Sequence, residues 1–194
     1  MLRAKTTEVV SSSMTSSGGT WPTKSAAVFC IASGIGIPAL WMTLLAMGRV
    51  TDLSERSVAY AFHWTAEGLT AGLLIAAGVA MFRHAAVARR LFFYAAGMLG
   101  VAALGMVVYY ARAGDLPFVA TGSVVAILLV RFMCGSRPHL TDGTYAVLGA
   151  VVYVLLVASG NALFLGDVLS AIHLLIALVT AASFSVVRFS RVDA

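Results

Sequence analysis

Charged side chains are scarce in this sequence. Only 11% of its 194 residues are Asp, Glu, Lys or Arg, whereas roughly a quarter is usual in soluble domains. Apolar residues make up 60% of the chain, and the mean hydropathy is +0.95. A chain with so few charges cannot cover a globule with water-facing groups, so the composition predicts an integral membrane protein and argues against an ordinary soluble enzyme.

Cysteine is also rare, and its two occurrences, Cys30 and Cys134, lie on different predicted helices. Two isolated cysteines match neither a zinc nor a redox spacing, and we interpret both as packing residues. The sequence contains no phosphate-binding Gly-rich loop, no nucleophile elbow and no HExxH pair. These absences favour a protein that is not an enzyme, and leave a metal- or haem-binding membrane enzyme open as the alternative.

Basic residues outnumber acidic ones, 13 to 8, which gives a net charge of +5. They occur singly and in pairs at the ends of apolar runs, which is typical of the anchors that flank membrane helices. Nucleic acid is therefore not a predicted partner, and the lipid bilayer is. Self-association into a homo-oligomer is left open.

Six apolar runs are close to the length of about 20 residues that crosses the hydrocarbon layer as a helix. They cover residues 25–47, 58–82, 91–111, 116–132, 145–164 and 168–187. We therefore predict an all-α fold, a six-helix transmembrane bundle formed by residues 25–188. Residues 1–24 are rich in Ser, Thr and Gly and predict a disordered cytoplasmic tail, and residues 189–194 predict a short second tail.

The distribution of Lys and Arg predicts the orientation of this bundle. Ten of the 13 basic residues fall on the side that holds both termini, and three, Arg49, Arg56 and Arg112, fall on the other side. Because Lys and Arg gather on the cytoplasmic side of membrane proteins, both termini are predicted to be cytoplasmic. The predicted location is the plasma membrane, as a multi-pass protein.

Five polar residues are candidates for a functional site. His63 and Glu67 are one helical turn apart in the second run, where burying a charge is costly unless something compensates it. His173 lies at a similar depth in the sixth run, ~8 Å below the outer boundary, and Asp167 and Asn161 lie near that boundary. We predict that the five form an outward-facing polar site for protons or a small solute.

Several hypotheses use these residues differently. In the leading one, Glu67 binds and releases a proton or cation in a small transporter or channel, with His63 as its relay partner. In the second, His63, Glu67 and His173 coordinate a divalent metal. In the third, His63 and His173 are the axial ligands of a b-type haem. In the fourth, His63 and Glu67 only fix the helix register of a non-catalytic scaffold or regulator.

Two further patterns concern packing. Small residues recur every four positions in the second run and predict a groove for a neighbouring helix: Gly68, Gly72, Ala76 and Ala80. Aromatic residues near the predicted outer boundary are interpreted as membrane-interface anchors: Trp41, Tyr60, Trp64, Tyr109 and Tyr110.

Residues 63–72, HWTAEGLTAG, contain the pattern HxxAExxTA and resemble a helix of small uncharacterised prokaryotic integral membrane proteins. Residues 105–114 resemble a helix-ending segment of the same group, so the similarity spans the second to fourth predicted helices. The resemblance implies a multi-helix membrane protein and points to His63 and Glu67. The helical pair that carries His173 departs from this shorter pattern, so a role for His173 depends on its predicted depth alone.

Overall fold

The computed structural model describes the backbone of residues 23–50, 55–135 and 140–190, and the side chains of residues 24–50, 55–135 and 140–181. These residues form six helices: α1 (Thr23–Ala46), α2 (Ser57–Phe82), α3 (Ala88–Ala113), α4 (Leu116–Gly135), α5 (Leu140–Phe164) and α6 (Val168–Ser190). The predicted all-α fold with six helices is confirmed. Five of the helices are long and apolar enough to cross a membrane, and in α6 the described apolar stretch is the shorter Val168–Ala181.

The predicted helix bounds agree with the structure to within three residues, except at the start of α5. That helix begins at Leu140 instead of residue 145, because its first turn is polar and falls outside the apolar run. Pro117 lies in the first turn of α4, where a missing N–H has no partner within the helix. Residues 1–22 and 191–194 of the two predicted tails lie outside the described residues.

Three helices, α2, α3 and α5, pack against one another at the centre of the molecule. Each carries one outer helix as its main neighbour: α1 packs on α2, α4 on α3 and α6 on α5. The outer helices α1 and α4 also meet through the rings of Phe29 and Phe132, whose centroids are 5.0 Å apart. The largest fully buried side chains of the centre include Leu74, Phe92 and Met98.

Successive helices alternate in direction, so the helix ends gather at two ends of the bundle. At one, here called the basic end, lie the starts of α1, α3 and α5 and the ends of α2 and α4, with the basic residues Lys24, Arg83, Arg89, Arg90 and Arg131. At the other, the far end, Arg49 pairs with Asp115 at 3.1 Å, and the Arg56 guanidinium lies 5.2 Å from the centroid of the Phe164 ring. The alternation places the end of α6 at the basic end too.

The closest approach between helices is the crossing of α3 and α5. A Cβ atom on Gly97 would lie 1.8 Å from the carbonyl oxygen of Ala146, and one on Gly149 would lie 2.0 Å from that of Tyr94. Each helix therefore presents a glycine to the backbone of the other. The two backbones touch without side chains between them, as small residues allow in helix pairs of membrane proteins.

The predicted packing groove of α2 is wrong. A Cβ on Gly68 or Gly72 would meet no described atom within 4 Å, and both glycines are exposed. α1 packs on a different face of α2, where Gly78 lies against the carbonyl oxygen of Ala27 and Gly34 lies against that of Ala71. Small residues on α2 are frequent enough to line more than one face, so their spacing alone did not identify the face in contact.

A buried ion pair joins α3 and α5 at the basic end. Arg89 donates from Nη2 to Oδ2 of Asp142 at 2.7 Å and from Nε to the same oxygen at 3.0 Å. The Asp142 side chain is only 5% exposed, and the guanidinium also lies 5.8 Å from the centroid of the Phe93 ring. Arg89 was interpreted only as one of the basic residues that indicate orientation, and Asp142 was not singled out. Asp142 precedes residue 145, the predicted start of the fifth helix, so no local pattern marked it as a partner of Arg89.

Gly149→Ala tests the crossing of α3 and α5. The added methyl group meets the backbone of α3, so we expect the free energy of unfolding to fall by about 1–3 kcal/mol, a typical cost of overpacking. The measurement is thermal unfolding of the detergent-purified protein. Gly105→Ala is the matched control, since a Cβ there meets no described atom within 4 Å and alanine favours the helix. Equal destabilisation by both changes would contradict the close crossing.

Asp142→Asn tests the ion pair. It removes the carboxylate charge that faces Arg89, and we expect a loss of roughly 3 kcal/mol in the free energy of unfolding, at the low end for buried pairs because Arg89 remains 32% exposed. Asp115→Asn breaks the pair with Arg49, which is 55% exposed, and should cost about 0–1 kcal/mol. If the two variants unfolded alike, the buried pair would not be a major contact between α3 and α5.

Candidate functional site

The carboxylate of Glu67 contacts side chains from three helices. His63, one turn earlier on α2, places Nε2 at 3.1 Å from Oε1. The Trp41 indole N–H of α1 donates to Oε2, and the Tyr153 hydroxyl of α5 lies 3.5 Å from Oε1 as a donor. The side chain of Glu67 is 16% exposed. These four residues, here called the Glu67 cluster, join α1, α2 and α5 through one carboxylate.

Helix geometry explains why these residues meet. Glu67 lies ten residues after the start of α2, and Tyr153 lies eleven residues before the end of α5. At 1.5 Å per residue both are about 15 Å from the far end of the bundle. Trp41 is nearer to that end, five residues before the end of α1, and its long indole spans the remaining depth to the carboxylate.

Aromatic rings surround the cluster. The Trp41 ring packs edge-on against the rings of His63 and Trp64, each with a centroid separation of 5.6 Å, and against Tyr60 at 6.3 Å. Tyr60 and Trp64 are 5.9 Å apart, and His63 and Tyr153 are 6.4 Å apart. The interpretation of Trp41, Tyr60 and Trp64 as interface anchors missed this contact, because it considered their depth and not their neighbours.

One buried hydrogen-bond donor beside the Glu67 cluster, the Trp64 indole N–H, has no partner among the described residues. A buried donor without a partner costs about 1–3 kcal/mol. The two tryptophans therefore differ: the Trp41 N–H is bound to Glu67 and the Trp64 N–H is not.

No Lys or Arg side chain that the structure describes contacts the Glu67 carboxylate. Within the described part of the chain, its contacts are the indole of Trp41, the imidazole of His63 and the hydroxyl of Tyr153. Indole and hydroxyl donors solvate a carboxylate without neutralising it. Burying a carboxylate without a Lys or Arg beside it is costly, which makes this position a candidate for binding a proton or a cation.

The other three predicted site residues have different surroundings. His173 is exposed on α6, and its Nδ1 lies 2.8 Å from the Leu169 carbonyl oxygen of the same helix. Asp167 is exposed and caps α6, where the hydroxyl and backbone N–H of Ser170 hold the pKa of its carboxyl below its ordinary value. Asn161 is exposed in the last turn of α5. The structure thus shows direct contact between His63 and Glu67 only.

The predicted metal site is not assembled. Among the described residues no three His, Cys, Asp or Glu side chains come together as a metal ion would require, and His63, Glu67 and His173 are all described. The metal hypothesis with these three ligands stays a prediction that the described arrangement does not support. The haem hypothesis stays a prediction, to which the structure adds that each imidazole has one ring nitrogen engaged, His63 with Glu67 and His173 with Leu169.

Sequence reasoning missed Trp41 and Tyr153 as partners of Glu67. Tyr153 carried a usable signal, since it lies in the middle of the predicted fifth helix, far from either interface, where a hydroxyl needs a hydrogen-bond partner. Trp41 carried none, because a tryptophan five residues from a helix end is equally typical of an anchor. Its role follows from the packing of α1 on α2.

Residues 21–142 match the model of a protein family described as a domain of unknown function (DUF8058). The matched segment covers α1–α4 and the first residues of α5, so it contains Trp41, His63 and Glu67 but not Tyr153. No curated protein and no solved structure matches the chain. Resemblance to an uncharacterised family is confirmed, and the narrower HxxAExxTA resemblance stays a prediction.

Trp41→Phe tests the hydrogen bond from α1 to Glu67. The change keeps an aromatic ring and removes the N–H, so we expect the free energy of unfolding to fall by about 1–2 kcal/mol. Trp64→Phe is the matched control: it removes an N–H without a described partner and should cost less. In a Glu67→Gln background the cost of Trp41→Phe should shrink, as thermal unfolding of the four variants would reveal. A larger loss for Trp64→Phe than for Trp41→Phe would contradict this assignment.

Proposed function

We propose that this chain, which belongs to the DUF8058 family, is a multi-pass plasma-membrane protein that moves protons or a small solute, with Glu67 as its proton-binding group. The family match covers more than half of the chain, and the family description assigns no role. The proposal is therefore argued from the helices and from the Glu67 cluster.

The helices support the membrane location. Five are long and apolar enough to span a bilayer, and α6, with 23 residues, extends over about 35 Å. Many large apolar side chains are exposed on the surface of the bundle, among them Leu104, Ile127 and Ile176, at 60%, 67% and 59%. Lipid accommodates such a surface, whereas water does not.

The basic end supports the proposed orientation. It collects Lys24, Arg83, Arg89, Arg90 and Arg131, and the starts of α1 and α3 and the ends of α2 and α4 lie there together. Because Lys and Arg are enriched on the cytoplasmic side, we assign the basic end to the cytoplasm and the far end to the outside. Both termini are then cytoplasmic, and His63 lies on the outer side of Glu67.

The observation that carries the proposal is the position of the Glu67 carboxylate. It lies about 15 Å from the far end, is 16% exposed and has no Lys or Arg among its described contacts. Ionisable groups at such depth are expensive, and in membrane proteins they typically mark proton or ion pathways. A carboxylate that takes up a proton removes its own charge, which makes alternate loading and release of a proton the natural chemistry of this position.

His63 supplies the connection towards the far end. Its side chain is 33% exposed, twice as much as that of Glu67, and it lies one turn closer to that end. Its Nε2 is 3.1 Å from Oε1 of Glu67, a distance over which a proton passes along a hydrogen bond. An imidazole has one nitrogen that accepts and one that donates, so it can relay a proton between water and the carboxylate.

The same contacts support a second candidate, a scaffold or regulator in which Glu67 only fastens α1 and α5 to α2. The observation in its favour is that every described partner of Glu67 can donate a hydrogen bond to it. The two candidates differ in what they require of Glu67. Fastening requires an acceptor with hydrogen-bonding capacity, whereas proton movement requires a group that exchanges a proton.

Glu67→Gln separates the two. The amide keeps the size of the side chain and one of the two oxygen acceptors but cannot exchange a proton, so we expect proton flux into proteoliposomes to fall to the level of protein-free vesicles. The measurement is the fluorescence of a pH dye inside the vesicles after an imposed potential. The outer, exposed acid Glu55 provides the matched control, and Glu55→Gln should conduct like the wild type.

Flux that is the same in Glu67→Gln and in the wild type would remove Glu67 from any proton pathway. If the wild type itself conducted no more than empty vesicles, while Glu67→Gln unfolded at a lower temperature, the fastening role would be the better account. His63→Gln should slow the flux by roughly tenfold without abolishing it, since water can replace a relay less efficiently.

A further inference from the structure

We infer that the solute recognised at this site is a lipophilic organic cation, held by the rings of Trp41, Tyr60 and Trp64 and by the charge of Glu67. This inference rests on the proposed function, because it names the substrate class of the same site. It follows from three features of the structure: the arrangement of the rings, a Glu67 carboxylate with no Lys or Arg among its described contacts, and the origin of Trp41 on a different helix from Tyr60 and Trp64.

The rings have the composition of a cation-binding shell. Two tryptophans and a tyrosine lie within 5.6–6.3 Å of one another, centroid to centroid, and His63 lies 5.6 Å from Trp41. The face of an aromatic ring attracts a cation within about 6 Å of its centroid, most strongly in tryptophan. Quaternary and other weakly hydrated organic cations are the usual ligands of such shells, because their desolvation costs little.

The Glu67 carboxylate determines the sign of the charge that a ligand of this site must carry. Glu67 contacts the ring of Trp41 through its indole N–H and has no Lys or Arg among its described contacts. A cation beside it supplies the balancing charge, whereas an anion is repelled and a neutral polar solute leaves the charge unbalanced. One cation and one proton are therefore alternative ways to neutralise the same group, and the binding of one releases the other.

Admission of a cation requires the rings to separate, because they now touch one another. Trp41 is the ring that has to move, because it comes from α1, whereas Tyr60 and Trp64 lie on one helix, α2. Pro38 lies three residues before Trp41 and cannot donate the helical hydrogen bond of its position, which weakens α1 there. A cation that competes for Glu67 replaces the indole N–H and occupies the space between Trp41 and the pair of Tyr60 and Trp64.

Tetraphenylphosphonium binding to the purified full chain in detergent tests the inference. Calorimetry should show saturable binding of one cation per chain, release of one proton per cation, and weaker apparent affinity as the pH is lowered. Triphenylphosphine oxide, a neutral compound with the same phenyl groups, should bind at least about tenfold more weakly. Equal affinity for the two compounds would overturn the inference, because adsorption to apolar surface alone would then account for binding.

Single-residue variants test whether tetraphenylphosphonium binds at the site formed by Glu67 and the aromatic rings. Glu67→Gln should weaken tetraphenylphosphonium binding by at least about tenfold, and Glu67→Asp, which keeps the charge, should retain most of it. Trp64→Ala removes one ring face and should weaken binding about two- to fivefold. Glu55→Gln and Tyr109→Ala, at an exposed acid and an exposed aromatic residue outside the cluster, should leave the affinity unchanged. Unchanged affinity in both Glu67→Gln and Trp64→Ala would overturn the assignment to this site.

Failure of this inference is distinguishable from failure of the proposed function. If the wild type shows Glu67-dependent proton flux but does not bind tetraphenylphosphonium, the organic-cation assignment falls and the proton site stands. If the cation binds in a Glu67-dependent way without any proton release, the exchange is overturned. Binding together with proton release and flux that the cation inhibits would support both.

Discussion

One carboxylate joins three helices of the bundle, and the proposed function depends on this contact. Glu67 accepts hydrogen bonds from the Trp41 indole of α1 and the Tyr153 hydroxyl of α5. It also contacts the imidazole of His63 on its own helix. Lipid provides no hydrophobic force between apolar helices, so a shared polar contact has more influence on their arrangement than it would have in water. Anything that changes the charge of this group, whether a proton or another cation, changes the contact between α1 and the helices at the centre.

The bundle has a tightly packed centre and an outer helix, α1, that also reaches the Glu67 cluster. Where α3 crosses α5, the backbones touch at Gly97 and Gly149, and Arg89 is fastened to Asp142 at the basic end. α1 packs on α2 at Gly34 and Gly78, and it contains Pro38 between that contact region and Trp41. The Glu67 contact is therefore made by an outer helix that reaches the centre of the bundle mainly through α2.

Much of the fold was predictable because long apolar runs have few alternatives to a helix. A run of apolar residues of sufficient length forms a helix, and five of the six predicted runs matched their helices to within three residues at both ends. The faces of those helices were not predictable in the same way. Gly68 and Gly72 suited a helix contact as well as Gly34 and Gly78 did. The spacing of small residues does not show which face of a helix its neighbour packs on. The contact of His63 with Glu67 was predicted because both lie on one helix, whereas the partners Trp41 and Tyr153 come from helices whose rotation no local pattern reveals.

Gly149 lies between the two polar contacts that α5 makes with its neighbours. Tyr153 lies four residues, about 6 Å, to one side of this glycine, and Asp142 lies seven residues, about 10 Å, to the other. The backbone of α5 lies against α3 at that point. One helix therefore carries, on either side of a single backbone contact, the hydroxyl that reaches Glu67 and the carboxylate that binds Arg89.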